Sequence, residues 1–229
     1  MSPRALLIDL DDTLYDERSY VLSGFRAVAA AIAEAFPHVS ADGMSADLAA
    51  RLDAEGRGKL FDGALAAARI DPTPDLIAHL VGTYRDHHPD IALWPGVAAT
   101  LAELRQRHRL AIVTDGLHLM QRRKAEALGL AGLVDALVFC WEHEAPKPHP
   151  TGYRMALKKL EAAAGDAVVI GDNPLHDMAG AQAIGAKSIR VRTGKFAKVD
   201  PGRFPPDAEA PSFNDVPAAL ARLATGDPS

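Results

Sequence analysis

The chain has a single cysteine among its 229 residues, Cys140, so it cannot form an internal disulfide; this excludes a small fold stapled for an oxidising compartment and fits a cytoplasmic location. It also lacks a surplus of positive charge. Lysine and arginine number 25 against 30 aspartates and glutamates, a formal net charge of -5, so neither nucleic acid nor an anionic membrane surface is an expected partner. Any phosphate substrate then needs a local cationic site. Long apolar runs are missing as well: no stretch approaches membrane-spanning length, and the apolar residues between Arg4 and Asp9 are too few for a secretory signal, so a protein neither exported nor embedded is expected. No Cys/His cluster or H-x-x-x-H spacing argues for zinc, and His118, His143, His149 and His176 read as surface or local structural residues. There is no internal repeat.

What the chain does have is 48% hydrophobic residues, over a length that allows one large domain or one domain with an insert. The apolar run Ala5-Leu6-Leu7-Ile8 stops abruptly at Asp9-Leu10-Asp11-Asp12-Thr13, as a buried strand does when it delivers charged groups to its C-terminal edge. Strand patterns then disappear. From about residue 18 to residue 88 the sequence reads as helices, with breaks expected around residues 41–43, 55–58 and 71–74. After Trp94-Pro95-Gly96, helices and strands alternate, with strands expected at 110–114, 136–139, 167–170 and 187–191 and a last helix at 216–223. This alternation is the signature of a parallel sheet built from right-handed βαβ units. The fold expected is therefore α/β, a Rossmann-like parallel-sheet core formed by residues 1–15 and 93–229, with residues 16–92 inserted as a helical cap.

Several of these strands end at residues useful for phosphate or metal chemistry: Asp9 and Asp11, then Thr114, then Gly171-Asp172, with Lys147 in the loop before a helix. Apolar cores explain the strands but not their endings. In this order the chain resembles the phosphatase branch of the haloacid dehalogenase superfamily. The D-x-D-x-T motif is Asp9 to Thr13, the Ser/Thr strand end is Thr114 in Ile112-Val113-Thr114-Asp115-Gly116, the lysine is Lys147 in Pro146-Lys147-Pro148-His149-Pro150, and G-D-x-x-x-x-D is Gly171 to Asp177. The helical insert between the first two motifs resembles the family's alpha-helical cap.

The resemblance implies a Mg2+-dependent phosphatase acting on a small phosphorylated metabolite or mononucleotide. Asp9 would be the nucleophile, and Asp11 the acid and then the base. Lys147 would neutralise charge on Asp9 and the phosphoryl group, while Thr114 and the amides near Leu10, Asp11, Asp115 and Gly116 would cradle the phosphate. The metal would lie between the Asp9 and Asp172 carboxylates and the Asp11 carbonyl, with Asp177 as a further ligand or as the group that orients one. Cap closure is expected from hinge motion near residues 14–17 and 88–93. Asp12 and Asp16 read as cap or loop residues, Cys140 as a small buried hydrophobe, and Arg51, Arg57, Lys59, Arg69, His87 and His88 as solvated helix surface. A phosphomutase of the same family would keep Asp9 and Asp11. A 2-haloacid dehalogenase needs neither an acid two residues after the nucleophile nor a metal, and a receiver-like signalling module shares the acidic pocket but is smaller. Sequence leaves oligomeric state and leaving group open.

Overall fold

Ala5–Ile8 (β1), Arg109–Thr114 (β2), Ala136–Phe139 (β3), Ala167–Gly171 (β4), Lys187–Val191 (β5) and Ala208–Ala210 (β6) form one parallel sheet in the computed structural model, which describes residues 3–225. The strand order is β3-β2-β1-β4-β5-β6, all pairs parallel. From β1 the chain moves outward to β2 and β3, then returns past β1 to β4, β5 and β6. The order thus reverses about β1, and ligands of open α/β sheets bind at the carboxyl ends of the strands beside such a reversal. Every residue of β1 is fully buried, as a central strand covered on both faces must be. Alternate residues Ala5, Leu7, Ala111, Val113, Val138 and Val169 share one side of the sheet with Tyr153, Ala156, Leu157 and Leu160. Tyr153, Ala156 and Leu157 are the apolar stripe of the helix Pro150–Lys159, with Leu160 as its C-cap, and the helix starts with proline at its first turn, where a missing N–H breaks no helical bond.

The chain divides into two compact units, one made of Met1–Glu17 and Ala92–Ser229, the other of Arg18–Ile91. In the second unit, Glu17–Ala35 (α1, continuing from the first unit), Ala41–Glu55 (α2), Leu60–Ala67 (α3) and Pro74–Asp86 (α4) bury a core of their own around Phe25, Val28, Ile32, Leu48, Leu65 and Leu80. The break expected at residues 41–43 falls earlier instead. Ser40 accepts a hydrogen bond from the Gly43 amide at 3.3 Å and so caps α2, which places Ala41, Asp42 and Gly43 inside its first turn. The remaining helices of the first unit are Val97–Arg105 (α5), His118–Ala127 (α6), Pro150–Lys159 (α7), Ala179–Ile184 (α8) and Val216–Thr225 (α9).

Two features were not foreseen in the sequence. β6 is three residues long, in a stretch rich in proline and acidic residues where no alternation can be read. The helical stretch between β4 and β5 begins as a wider π-helical turn, Pro174–Met178, before Ala179–Ile184.

Cys140 is fully buried, and burial pushes its thiol up to about 12, with Asp115 adding to the rise against the charge of Lys147. At pH 8 only about one thiol in ten thousand would then be thiolate. Iodoacetamide is expected to label the native protein at least about a thousandfold more slowly than the unfolded chain, as followed by mass spectrometry. Equal labelling rates would contradict a buried, inert Cys140.

Candidate active site

Where β1 ends, the Asp9 amide still donates to the Ile170 carbonyl at 2.8 Å, so Asp9 keeps strand register beside β4 before the chain turns away. Asp9 is 8% exposed, and its carboxylate is held from two sides. The Lys147 ammonium donates to Oδ1 at 2.5 Å and the Thr13 hydroxyl to Oδ2 at 2.9 Å. Thr13, the last residue of the D-x-D-x-T motif, therefore touches the candidate nucleophile directly. Lys147 also donates to Asp177 Oδ1 at 2.8 Å, forming a buried Asp–Lys–Asp array. Burial alone would lower the Lys147 ammonium, but the charges of Asp177 and Asp9 outweigh it and hold it well above the ordinary lysine range.

Asp172 follows the end of β4 and is almost wholly buried, with its Oδ2 lacking a hydrogen-bond partner. Burial, then the charges of Asp9, Asp177 and Asp12, push its carboxyl up to about 9. Burial likewise pushes Asp9 up to about 7, opposed by Lys147 and reinforced by Asp177 and Asp11. Asp177 lies on the π-helical turn, where it accepts from the Asn173 amide at 3.2 Å. Gly171 makes room for it, since a Cβ there would collide with the Asp177 carboxylate. Oxygen atoms of Asp9, Asp172 and Asp177 all lie within 4.8 Å of one another. Crowded carboxylates, an orphaned buried oxygen and an all-oxygen donor set fit a hard divalent cation, which would relieve both the repulsion and the unmet hydrogen-bonding demand.

Asp9, Lys147, Asp172 and Asp177 line one pocket of about 200 Å³, together with Asp11, Asp12, Glu17, Thr114, Asp115, Asn173, His176, Lys195 and Phe196. Thr114, at the end of β2, is 1% exposed, and its hydroxyl oxygen accepts from Gln121 at 2.6 Å. The Asp115 side chain turns to the loop carrying Lys147, accepting from the Lys147 amide at 3.0 and 3.1 Å, so its carboxylate shapes that loop. Gly116 has φ 120°, a conformation that favours glycine, and is not among the residues lining the pocket; a Cβ there would stand 3.3 Å from the Gln121 side chain. Asp11 stands apart from the carboxylate cluster. Its Oδ1 accepts from Lys124 at 2.8 Å and from the Tyr15 hydroxyl, and its Oδ2 from Gln121 at 2.8 Å. Burial would raise the Asp11 carboxyl, but the charge of Lys124 and these hydrogen bonds outweigh it and hold it below the usual range. Any metal contact from Asp11 would therefore come from its carbonyl.

Asp12 takes up a positive φ of 58° and accepts from the Glu17 and Lys195 amides at 3.0 and 3.3 Å, fixing the turn after the strand. His118 pairs with Glu142 at 2.9 Å, and His149 caps α7. Arg190, on β5, is fully buried and escaped the sequence reading. It donates to the Asp172 carbonyl at 3.3 Å and to the carbonyls of Phe196 and Val199 at 2.5 and 2.8 Å, tying the Asp172 turn to the segment that lines the far side of the pocket.

Comparison with known proteins matches residues 3–185 to the family described as haloacid dehalogenase-like hydrolase. The chain is 30% identical over 224 residues to the glyceraldehyde 3-phosphate phosphatase of Methanopyrus kandleri, covering 95% of each chain. It is 31% identical to the phosphoserine phosphatase of Thermus thermophilus, covering 90% of this chain and 92% of that one. Among solved structures, the 2-haloacid dehalogenase of Pseudomonas syringae pv. Tomato superposes with a TM-score of 0.68 at 25% identity, over 96% of this chain and 99% of that one.

Proposed function

The chain belongs to the haloacid dehalogenase-like hydrolase family, and from that premise we propose that it hydrolyses phosphoric monoesters of small metabolites or mononucleotides, with Mg2+, through an aspartyl phosphate on Asp9. The observation that carries this reading is the Asp9 carboxylate itself, buried at the centre of the sheet edge between Lys147 and Thr13 and beside Asp172 and Asp177. The phosphatase names of two relatives of nearly full length support the same reaction class.

In the first step an Asp9 oxygen forms a bond to phosphorus as the bond to the leaving oxygen breaks, its electron pair remaining on that oxygen. Asp11 supplies the proton that makes it an alcohol. In the second step water attacks phosphorus, Asp11 accepts the water's proton, and Asp9 is released with inorganic phosphate. Lys147 and the Thr114 hydroxyl stabilise charge on the transferring group, Lys147 as a point charge and Thr114 as a donor from a fixed strand end. Mg2+, held by Asp9, Asp172, the Asp11 carbonyl and, directly or through another ligand, Asp177, would offset repulsion between carboxylate and phosphate.

Phosphate release across a panel of sugar phosphates, nucleotides and short-chain monoesters tests the reading, beginning with glyceraldehyde 3-phosphate and phosphoserine. Turnover that needs Mg2+ is expected on at least one. Rearranged sugar phosphate in place of phosphate would make the protein a mutase, metal-independent halide release from 2-haloacids a dehalogenase, and a stable phospho-aspartate without turnover a signalling module.

A further inference from the structure

We infer that Lys124 and Gln121 are positioning residues for proton transfer, holding the Asp11 carboxylate where it meets the leaving oxygen; this rests on the reading of Asp11 as the acid and base given above. Both lie on α6, three residues apart and hence on one face of the helix, and they are 4% and 1% exposed. A lysine this deeply buried loses much hydration, and a methionine or leucine of similar volume would fill the position without that loss. Packing alone therefore gives no reason for a charge at 124. The charge instead meets Asp11, which lies 113 residues away in the chain.

The grip on Asp11 covers both of its oxygens. Lys124 and Tyr15 donate to Oδ1 and Gln121 donates to Oδ2, so the position of each oxygen is set before the proton moves. The same Gln121 amide nitrogen is 2.6 Å from the Thr114 hydroxyl oxygen, so one side chain fixes the distance between the proton-handling carboxylate and the end of β2. Gly116 leaves the space that Gln121 fills. As the bond from phosphorus to the leaving oxygen breaks, the proton passes from Asp11 to that oxygen, and negative charge appears on a carboxylate already surrounded by three donors. Such an arrangement favours the transition state over the ground state, because the donors meet charge as it develops.

Leaving groups separate this role from simple support of the fold. An alkyl alcohol must be protonated as it departs, whereas p-nitrophenol departs as the anion. Kinetics are measured for wild type, Asp11→Asn, Lys124→Met and Lys124→Arg on p-nitrophenyl phosphate and on glycerol 3-phosphate, or whichever alkyl monoester of the panel the wild type turns over. Lys124→Met is expected to lower kcat/KM, which reports the steps up to departure of the leaving group and not the shared hydrolysis of the aspartyl phosphate, by about 10- to 100-fold on the alkyl monoester and by less than about threefold on p-nitrophenyl phosphate, with partial recovery in Lys124→Arg. If Lys124→Met does not fold, Gln121→Leu should show the same contrast. Equal losses on both substrates, or no loss on the alkyl monoester, overturn the inference. An Asp11→Asn enzyme without leaving-group selectivity overturns the reading of Asp11 itself; selectivity in Asp11→Asn but not in Lys124→Met overturns only the part given to Lys124.

Discussion

Asp9→Asn is expected to lower kcat by on the order of 10^4- to 10^6-fold while leaving the protein folded. An amide cannot form the acyl phosphate, and no other carboxylate shares the position of Asp9 between Lys147 and Thr13 among the described residues. Asparagine keeps the shape of aspartate and an oxygen that can accept from either donor. It also removes a carboxylate whose ionisation is already disfavoured by burial and by its neighbours Asp177 and Asp11. The melting temperature at pH 8 should therefore hold or rise, and that sets a catalytic loss apart from a folding defect. Circular dichroism melts and steady-state phosphate release on the best substrate check both halves. A variant that keeps turnover within tenfold of wild type would end the case for Asp9 as nucleophile.

The second large effect concerns the metal. Chelation with EDTA is expected to abolish turnover, and its effect on stability should depend on pH. In the metal-free protein the carboxyls of Asp9 and Asp172 are pushed up to about 7 and about 9, against about 3.9 for an aspartate in an unfolded chain. The folded state thus retains protons that the unfolded chain has released. Stability from these groups is intact below about pH 4 and is lost as pH rises, first through 7 and then through 9. A divalent cation takes the place of those protons, so added Mg2+ should raise the melting temperature more at pH 9 than at pH 6. At a hundredfold excess over Kd the stabilisation is about 2.7 kcal/mol, which for a chain of this size is about 5 to 10 °C. Undiminished rates in EDTA, or a melting temperature indifferent to Mg2+ at every pH, would remove Mg2+ from this carboxylate cluster.

How much of this was legible in the sequence depends on whether a residue's role is set locally. The four aliphatic residues of β1 and the carboxylates after them announce a strand end, because burial and its sudden loss are both written in consecutive residues. β3 and β5 fall at the bounds expected for them, residues 136–139 and 187–191. Lys124 and Gln121 gave no such signal. On a helix followed only by its own periodicity they read as ordinary polar residues, and their meaning comes from Asp11, reached only when β1 and β2 pair. The one available clue was two polar side chains, three apart, immediately beyond the Thr114 strand end. Arg190 was hidden for the opposite reason. A strand that buries both faces is expected to be apolar, and the Arg190 guanidinium is met there by the backbone carbonyls of Asp172, Phe196 and Val199 on two of its three nitrogens. β6 was out of reach, since three residues cannot display a period.

The Trp94 amide donates to the Leu14 carbonyl at 3.1 Å, so the sheet-bearing unit closes its own backbone across the intervening chain. Seen from that unit, the whole helical segment is a loop whose two ends are already joined. Lengthening such a loop costs only about 0.6 kcal/mol for each doubling, so what stands between the two ends is nearly free to vary in size and content. The junction at Leu14 and Trp94 is thus a socket. It holds the two ends of the insert together on the same unit that carries Asp9.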